Sequence, residues 1–296
     1  MSDASELQLR LNEFISKIPR DKILNEIDSQ IDSKSVDIAY IFDTFVNESY
    51  SALSLIENYL SSAALKLLEV GAGICVFSLF LKSEGFNVTA LEPAANGYDF
   101  FDIMKKVILE HYDFLNLIVL PIKAEELGKA HEPRHQYDLI FSNNVIEHIP
   151  NFQLALDAMF CCLSNDGLVI HTCPNYSFPY EPHLSIPVLK RMIKISQFIF
   201  KNRISQYQEM WDSLNFITAK EVRTYAKTNN LSCQFEKGLL YKSLRRMESD
   251  SLFKERHSHS IINIIYKSLK VAGLLKAIKY LPASMQSPMI FRLKKN

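Results

Sequence analysis

The sequence Leu67-Leu-Glu-Val-Gly-Ala-Gly-Ile-Cys75 joins an apolar run to a carboxylate and two closely spaced glycines, after which a new apolar pattern begins. The run is typical of a buried strand, and the glycines predict a tight turn into a helix. Glycine lets the backbone approach a ligand where no Cβ would fit, and the amide groups at the start of the helix can point at that ligand. The stretch therefore predicts a nucleotide-like ligand beside the end of a strand.

The spacing of the glycines separates two classes of nucleotide cofactor. A dinucleotide site needs the pattern G-x-G-x-x-G, but after Gly71 and Gly73 the next glycine is Gly85. Glu69 would repel a pyrophosphate and suits a cationic ligand. The pattern E-x-G-x-G resembles motif I of the class I S-adenosylmethionine (SAM) methyltransferases, with Cys75 where that family usually has a third small residue. The resemblance implies SAM as the cofactor, and the alternative is an ordinary strand-to-helix turn.

A second short apolar strand is predicted at residues 87–92, and it ends in Glu92. In a parallel sheet the end of this strand lies beside the glycine turn, where Glu92 can accept hydrogen bonds from both hydroxyls of a ribose. Without the glycines, a single glutamate after a strand would be interpreted as a solvated loop residue. With them, we predict that Glu92 contacts the cofactor.

A third strand is predicted at residues 115–121. In SAM methyltransferases the turn after this strand carries a small residue and an acid near the adenine, so the resemblance implies Ala124 and Glu125 as cofactor contacts. The alternative is that an acidic first turn only complements a helix dipole.

Residues 137–151 resemble motif IV of the ubiquinone-biosynthesis-like branch of the methyltransferases, in which a buried strand, polar residues and a Glu-His pair follow in this order. In this sequence the polar residues include Asn143, which we predict to contact the cofactor, and the Glu-His pair is Glu147-His148. A fifth strand follows at residues 163–175, where an Asp-Gly turn precedes an apolar run. The resemblance covers roughly residues 60–175, and four motifs in the expected order are more specific than any one of them.

The order of these segments predicts an α/β, Rossmann-like class I methyltransferase fold. We expect a mostly parallel seven-stranded sheet with an antiparallel last strand, helices on both faces and helical insertions. The predicted segments are an N-terminal helical cap at 1–62, a SAM-binding core at 63–175, a substrate-pocket or lid insertion at 176–216, and the rest of the sheet at 217–296. In the last segment, strands at 232–241 and 289–293 flank a basic amphipathic helical insert at about 250–282.

The net charge of zero hides a strong asymmetry. Residues 1–182 contain 12 Lys/Arg and 26 Asp/Glu, a balance of −14, whereas residues 183–296 contain 21 and 7, a balance of +14. In the basic half, residues 187–200 and 261–280 are predicted as basic amphipathic helices. Such helices can contact an anionic membrane or accept a lipid-linked substrate; the alternative is that they pack on the core as a lid.

Composition predicts a cytoplasmic protein, with the inner face of a membrane as the alternative location. The chain has no apolar run of 18 or more residues, and its first residues are too polar for a signal peptide. The five cysteines lack the spacing of a metal site and the density of a disulfide scaffold.

The loop at residues 173–183 combines prolines, aromatic residues, an acid and a histidine beyond the end of a strand. We predict that Tyr180, Glu181 and His183 bind the substrate, and a structural turn is the alternative. If the acceptor is a hydroxyl, a base must remove its proton, and His148 and His183 are the candidate catalytic residues. The resemblance also implies a structural alternative for His148, because the Glu-His pair often fixes its loop in that branch.

No metal site is predicted. The close histidine pair His257-Ser-His259 has no nearby cysteine and no run of acids to complete a site.

Together these features predict an enzyme, a SAM-dependent methyltransferase acting on a small or glycan-like acceptor that is either free or lipid-linked. The basic half favours an RNA methyltransferase as an alternative, but arginines are sparse and no RNA-binding module is visible, so nucleic acid is not the expected partner. A non-catalytic scaffold is the third hypothesis, and the joint presence of the polar cofactor residues argues against it. The sequence leaves the methyl acceptor and the oligomeric state open.

Overall fold

The computed structural model describes residues 5–31, 37–93, 99–128, 136–188, 190–249, 254 and 261–296. Its strands are β1 (Lys66–Val70), β2 (Asn87–Leu91), β3 (Ile118–Leu120), β4 (Tyr137–Asn143), β5 (Leu163–Cys173), β6 (Leu231–Phe235) and β7 (Met289–Lys295). They form a seven-stranded sheet in the order β3-β2-β1-β4-β5-β7-β6, with helices around it. This topology confirms the predicted Rossmann-like fold.

Strand direction and register place the ends of the first strands together. β1 is parallel to both β2 and β4, and Glu69 lies opposite Ala90 on one side and Phe141 on the other. Val70 pairs with Leu91, so the turn after β1 begins where β2 ends. β6 and β7 are antiparallel, as predicted for the end of the sheet.

The chain folds as two compact units, of which the first is Met1–Asn143 with Leu154–His171. The helices of the first unit are α1 (Glu6–Ser16), α2 (Arg20–Asp28), α3 (Ile38–Ile56), α4 (Val76–Ser83), α5 (Asp99–His111) and α6 (Phe152–Cys162); all of α6 except its first two residues lies in this unit. In its described part, the N-terminal segment forms the helices α1, α2 and α3. Phe42 of α3 and Leu79 of α4 belong to one apolar core cluster, so α3 packs next to the start of α4.

The second unit consists of Asn144–Gln153 and Thr172–Asn296. Its helices are α7 (Ile193–Ile199), α8 (Lys201–Ser205), α9 (Gln208–Ser213), α10 (Ala219–Thr228), α11 (Leu239–Ser249) and α12 (Ile261–Val271). Helix α10 begins with a capping box, in which Thr218 and Glu221 satisfy each other's amide groups.

Two predicted elements of the second unit differ from the structure. The amphipathic helix predicted at residues 187–200 is instead a 3-10 turn at Lys190–Met192 followed by the short α7, after which α8 starts at once. The physical reason is burial: α7 buries only Ser196, and the chain bends at Phe200 so that Ile204 of α8 reaches the same apolar cluster as Trp211.

The strand predicted at residues 232–241 is also too long. β6 ends at Phe235, Gly238 has a positive φ of 77°, and α11 begins at Leu239. Leu240, Leu244 and Met247 recur at helical spacing and are buried, which explains the helix. The helix predicted at residues 261–280 ends at Val271, and residues 250–253 and 255–260 of the predicted insert lie outside the described residues.

Among the described helices, none combines the length and the hydropathy that crossing a bilayer requires.

Candidate functional site

The turn between β1 and α4 is built from residues in the left-handed region of φ. The φ angles are 72° at Gly71, 54° at Gly73 and 64° at Cys75. The amides of Gly71 and Ala72 donate to the carbonyl of Leu91 at 2.7 and 3.2 Å, and the amide of Cys75 donates to the carbonyl of Ala72 at 2.8 Å. The first two hydrogen bonds hold the turn against the end of β2, and the third closes the turn itself.

Gly73 is in close contact with the N-terminal helices. A Cβ atom at this position would lie 2.4 Å from Cε1 of Phe45, a ring carried by α3. Such a distance is far below van der Waals contact, so the turn and α3 can approach each other only because residue 73 is glycine.

Glu92 follows β2 and holds the glycine turn. One oxygen of its carboxylate accepts a hydrogen bond of 2.7 Å from the amide of Gly73. Burial raises the pKa of Glu92 to about 7, although the bond from Gly73 and the charge of Lys105 oppose the shift. A carboxylate has room for further donors, so the second oxygen can still accept a hydrogen bond from a ligand.

Glu69 is the second carboxylate of the turn. It is buried at the end of β1 and accepts a hydrogen bond from the hydroxyl of Ser78 in α4. Burial raises its pKa to about 8; the bond from Ser78 opposes the shift, and the charge of Glu92 adds to it. Two acidic groups with raised pKa values therefore flank one glycine turn, and such groups are often found at functional sites.

A pocket of the first unit opens beside this turn. It brings together three predicted cofactor residues, Glu69, Gly71 and Asn143, with side chains of α3. The residues lining it are Phe45, Glu48, Ser49, Ala52, Glu69, Gly71, Ala72, Ile74, Val76, Phe77 and Asn143. The sequence predicted an N-terminal helical cap, but it did not identify Glu48 as a residue that lines the pocket, because one acid on a helix carries no signal of its own.

The other predicted cofactor residues are placed around the pocket. Gly73 and Glu92 are joined by their hydrogen bond, and Ala124 and Glu125 lie in a 3-10 helix, Ala124–Glu126, just after β3. These four residues are not among those that line the pocket. Ala124 is buried, whereas the exposure of Glu125 is intermediate.

The second unit contains a cluster of titratable side chains, which we call the histidine cluster: Glu147, His148, Glu181 and His183. The rings of His148 and His183 meet edge to face, with centroids 5.3 Å apart. Nδ1 of His148 lies 2.7 Å from the hydroxyl oxygen of Ser213, and that hydroxyl lies 2.8 Å from the carbonyl of Met210. Because the hydroxyl donates its single hydrogen to Met210, Nδ1 of His148 must donate to Ser213, and the lone pair is on Nε2.

Glu181 fixes His183 in the same way. Its carboxylate is buried and lies 2.5 Å from Nδ1 of His183, and it also accepts hydrogen bonds from the amides of His183 at 3.1 Å and Leu184 at 2.6 Å. Burial alone would raise the pKa of Glu181, but these hydrogen bonds hold it below its usual value. The ionised carboxylate requires hydrogen on Nδ1, so the neutral form of His183 has its lone pair on Nε2.

His148 is neutral at physiological pH. Burial lowers its pKa to about 4, and neighbouring His183 acts in the same direction, whereas the charge of Glu181 opposes it. A neutral imidazole with Nε2 unprotonated can accept a proton or bind a metal ion.

Long-range contacts hold the Glu147-His148 segment in place. These two residues end the 3-10 helix Ile146–His148, and Asn215 donates from Nδ2 to the carbonyls of Ile146 and Ile149 at 2.7 and 2.8 Å. The amide of Asn215 also donates to the carbonyl of Glu147 at 2.8 Å. Sequence reasoning missed both Asn215 and Ser213, because polar residues far along the chain gave no signal that they support this segment.

The structure also groups three potential metal ligands. Glu147, His148 and His183 each offer a ligand atom, and these atoms lie within 4.8 Å of one another. No metal site was predicted from the sequence, because Glu147-His148 and His183 are far apart in the chain. The pair His257-Ser-His259, which was considered instead, lies outside the described residues.

Tyr180, the third predicted substrate residue, has a different environment. Its side chain is buried in an apolar cluster with Leu240, Leu244 and Tyr266. This placement favours the structural alternative for Tyr180, whereas His183, whose side chain is 25% exposed, is open to solvent.

Comparison with known proteins identifies the family. A family model described as a methyltransferase domain matches residues 21–234, more than half of the chain. An uncharacterized protein of Mycobacterium tuberculosis is 32% identical over 236 residues, covering 77% of this chain and 78% of that protein. A ubiquinone biosynthesis O-methyltransferase of Rickettsia typhi is 24% identical over 231 residues, covering 76% of this chain and 81% of the relative. The chain therefore belongs to the methyltransferase domain family.

Two solved structures share the fold. Geranyl diphosphate methyltransferase in complex with SAM gives a TM-score of 0.52 at 12% identity, covering 90% of this chain and 93% of that chain. A SAM-dependent methyltransferase from Mesorhizobium loti gives a TM-score of 0.51 at 9% identity, covering 83% of this chain and 97% of that chain. Fold likeness and family membership confirm the predicted class: the protein is a class I SAM-dependent methyltransferase, an enzyme whose methyl donor is SAM.

Proposed function

We propose that this enzyme transfers the methyl group of SAM to a hydroxyl of a small or glycan-like acceptor. The observation that carries the cofactor half of the proposal is the glycine turn, which lies between the buried carboxylates of Glu69 and Glu92 and beside a pocket. Carboxyl groups with raised pKa values make the folded state less stable at neutral pH. A scaffold without a ligand would have no need to keep both.

The residues of the first unit fit an adenosyl ligand. When bound, SAM supplies a methyl group that its sulfonium already activates. The second oxygen of Glu92 would accept hydrogen bonds from the ribose, and the charge of Glu69 suits the cationic part of the ligand. Gly71, Gly73 and Asn143 would form the floor and rim of the site, and Ala124 and Glu125 would border the adenine, as the family motifs imply.

We propose that the histidine cluster lies at the binding site of the methyl acceptor. His148 follows the pocket residue Asn143 by five positions along the chain, and His183 lies in the loop after β5. In a parallel sheet, ligands bind beyond the carboxyl ends of the strands, where both of these segments begin. The lone pair on Nε2 of either imidazole can accept the proton that a hydroxyl must lose, and the charge of Glu181 would stabilise the resulting imidazolium of His183.

Glu181 and Tyr180 would support this acceptor site in different ways. Glu181 would hold the tautomer of His183, and Tyr180 would contribute by packing behind the loop. Oxygen as the methylated atom is supported by the relative from Rickettsia typhi, whose name describes an O-methyltransferase.

We further propose peripheral contact of the second unit with anionic membranes, as a lipid-linked acceptor would require. On α7, Phe198 and Ile199 are 84% and 62% exposed and lie close in sequence to Lys194 and Lys201. On α12, Val271 is 90% exposed. Exposed apolar side chains among lysines are typical of helices that bind an anionic lipid surface.

Calorimetric titration with SAM, S-adenosylhomocysteine and NAD tests the cofactor half. We expect both adenosyl ligands to bind with micromolar affinity and NAD not to bind. Glu92→Ala should weaken SAM binding by removing the ribose acceptor, whereas Glu110→Ala, a change on the exposed side of α5, should not. Unchanged affinity in the Glu92 variant would reject the assignment.

The acceptor half is tested by incubating the enzyme with SAM and a panel of sugars, phenols and lipid-linked intermediates, and following S-adenosylhomocysteine release. His183→Ala should abolish turnover while the affinity for SAM stays the same. Loss of SAM binding in this variant would assign His183 to the SAM site and not to the acceptor site.

Vesicle sedimentation tests the membrane contact. We expect binding to vesicles that contain anionic phosphatidylglycerol and none to pure phosphatidylcholine. The double variant Phe198→Ser and Ile199→Ser should lose this binding, whereas Leu9→Ser, a matched change of an exposed apolar residue in α1, should retain it. Equal binding of both variants would reject the proposed surface.

A further inference from the structure

The histidine cluster has the composition and geometry of a metal-binding site. It offers two imidazoles and one carboxylate, the same donor set as zinc sites with two histidines and one glutamate, which keep a position open for a further ligand. All three ligand atoms lie within 4.8 Å of one another. Divalent transition metals favour imidazole nitrogen, whereas Mg²⁺ favours an all-oxygen shell.

The hydrogen bonds of the cluster set the nitrogens that are available. Nδ1 of His183 is held by the carboxylate of Glu181, and Nδ1 of His148 by the hydroxyl of Ser213. Metal-binding histidines commonly donate their other ring nitrogen to a carboxylate or another acceptor, which fixes the ring and makes it a better ligand. In the neutral form of each ring, the lone pair that can bind a metal ion is therefore on Nε2.

The segments that carry the ligands are fixed before any ion binds. Asn215 holds the 3-10 helix of Glu147 and His148 through the carbonyls of Ile146 and Ile149. The loop of His183 is closed by an antiparallel bridge between Glu181 and Ile186, with hydrogen bonds of 2.9 and 3.2 Å. A prearranged site loses little conformational entropy on binding.

The remaining adjustment is small. Zn–N bonds of about 2.0–2.1 Å place tetrahedral ligand atoms about 3.4 Å apart, so atoms now up to 4.8 Å apart need to move closer by at most about 1.4 Å. Glu147 is fully buried, and a buried carboxylate is commonly paired or bound to a metal. The partial exposure of His183 gives an ion a path from solvent.

We propose that Glu147, His148 and His183 bind a divalent transition-metal ion of the zinc type, with Glu181 and Ser213 as positioning residues. The binding itself is independent of the proposed function. Its role rests on that function: with the ion bound, the metal would hold the acceptor hydroxyl, lower its pKa and let its proton pass to water, in place of the proton transfer to Nε2 that we propose for the metal-free cluster.

Metal titration of the full-length, tag-free enzyme after chelator treatment tests the proposal. We expect one equivalent of Co²⁺ to give visible d–d absorption bands and Zn²⁺ to displace it. His148→Ala and His183→Ala should each lower the affinity for Zn²⁺ at least about 100-fold, because each removes a direct ligand. His111→Gln, which changes a histidine paired with Glu26 in the first unit, should bind within about twofold of the wild type.

Glu181→Gln keeps the shape of the side chain and removes its charge, so it provides a second measurement if the alanine variants fail to fold. It should weaken Zn²⁺ binding about 10–100-fold, as expected for a residue that orients a ligand. Absence of stoichiometric Co²⁺ binding, or equal Zn²⁺ affinity in the wild type and in folded cluster variants, would overturn the proposal. SAM binding measured on the same samples separates this failure from a failure of the methyltransferase assignment.

Discussion

The glycine turn and the histidine cluster are assembled in opposite ways. The turn and its two carboxylates come from one continuous stretch, from Glu69 to Glu92, and a hydrogen bond from Gly73 closes it. The histidine cluster draws His148, His183 and its support Asn215 from three separate segments. The comparison teaches that a cofactor motif can be local in sequence, whereas the proposed acceptor site depends on contacts that only the folded chain provides.

The electrostatics of the two regions also differ. Burial raises the pKa of Glu69 to about 8, and it lowers the pKa of His148 to about 4, so in each case burial favours the neutral form. In the turn, a cationic ligand would favour the ionised form of Glu69. In the cluster, the imidazole is neutral at physiological pH and is ready to accept a proton or bind an ion.

The largest effect is expected from Gly73→Ala. The new Cβ would lie 2.4 Å from the Phe45 ring, at a φ of 54° that alanine rarely adopts. Backbone strain of about 1–3 kcal/mol and displacement of Phe45 should lower the affinity for SAM about 100-fold. Calorimetry measures this change.

Gly85→Ala is the matched control for that variant. Its φ of 83° is equally unfavourable for alanine, but no atom lies within 4 Å of the new Cβ. We expect stability to fall and the affinity for SAM to stay within about twofold, because the strain is remote from the turn. Equal losses of affinity in both variants would mean that crowding against α3 is irrelevant.

Asn215→Ala tests whether long-range contacts hold the histidine cluster. It removes both hydrogen bonds from Nδ2, of 2.7 and 2.8 Å, and leaves two carbonyls without this donor. We expect the free energy of unfolding to fall by about 2–3 kcal/mol, measured by urea denaturation. Asn229→Ala removes one bond of 3.0 Å at the end of α10 and should cost only about 0.5–1 kcal/mol. Similar losses in both variants would contradict the supporting role of Asn215.

The pKa of Glu92 predicts a pH-dependent affinity for SAM. With a pKa of about 7, the free carboxyl is mostly protonated at pH 6 and mostly ionised at pH 8. The ionised form is the better acceptor for ribose hydroxyls, so the affinity should rise about tenfold over this range. Calorimetry at several pH values measures it, and Glu92→Gln should remove this part of the dependence. A Glu92→Gln profile parallel to that of the wild type would assign the titration to another group.

The smallest effect is a pH dependence of stability that originates from Glu69. Its pKa is raised from 4.5 to about 8 by folding, so between these values the folded state binds more protons than the unfolded state. The free energy of unfolding therefore falls as pH rises through this window. The contribution of Glu69 should be about 1 kcal/mol between pH 6 and pH 7.

Urea denaturation of the wild type and of Glu69→Gln at both pH values measures that contribution. The variant should lose less stability over this step than the wild type. Glu110→Gln, at an exposed site of α5, should behave like the wild type. If Glu69→Gln has the same slope as the wild type, the buried carboxyl does not titrate as described.

Much of the fold could be predicted from local patterns. The strand before Gly71, the strand before Glu92 and the antiparallel end of the sheet were all identified, because apolar runs and turn residues act over a few positions. The prediction was wrong where burial of side chains decides between helix and strand, as at residues 232–241. There Leu239 and the following apolar residues pack as a helix and not as an extension of the strand.

The sequence alone determined the family, the SAM cofactor and the glycine turn, because these depend on residues close together in the chain. Only the tertiary structure decided that Phe45 closes on Gly73, that Asn215 holds the Glu147-His148 segment, and that three potential metal ligands meet. These contacts join residues far apart in sequence, and packing and burial across the fold select them. No spacing pattern in the chain records that selection.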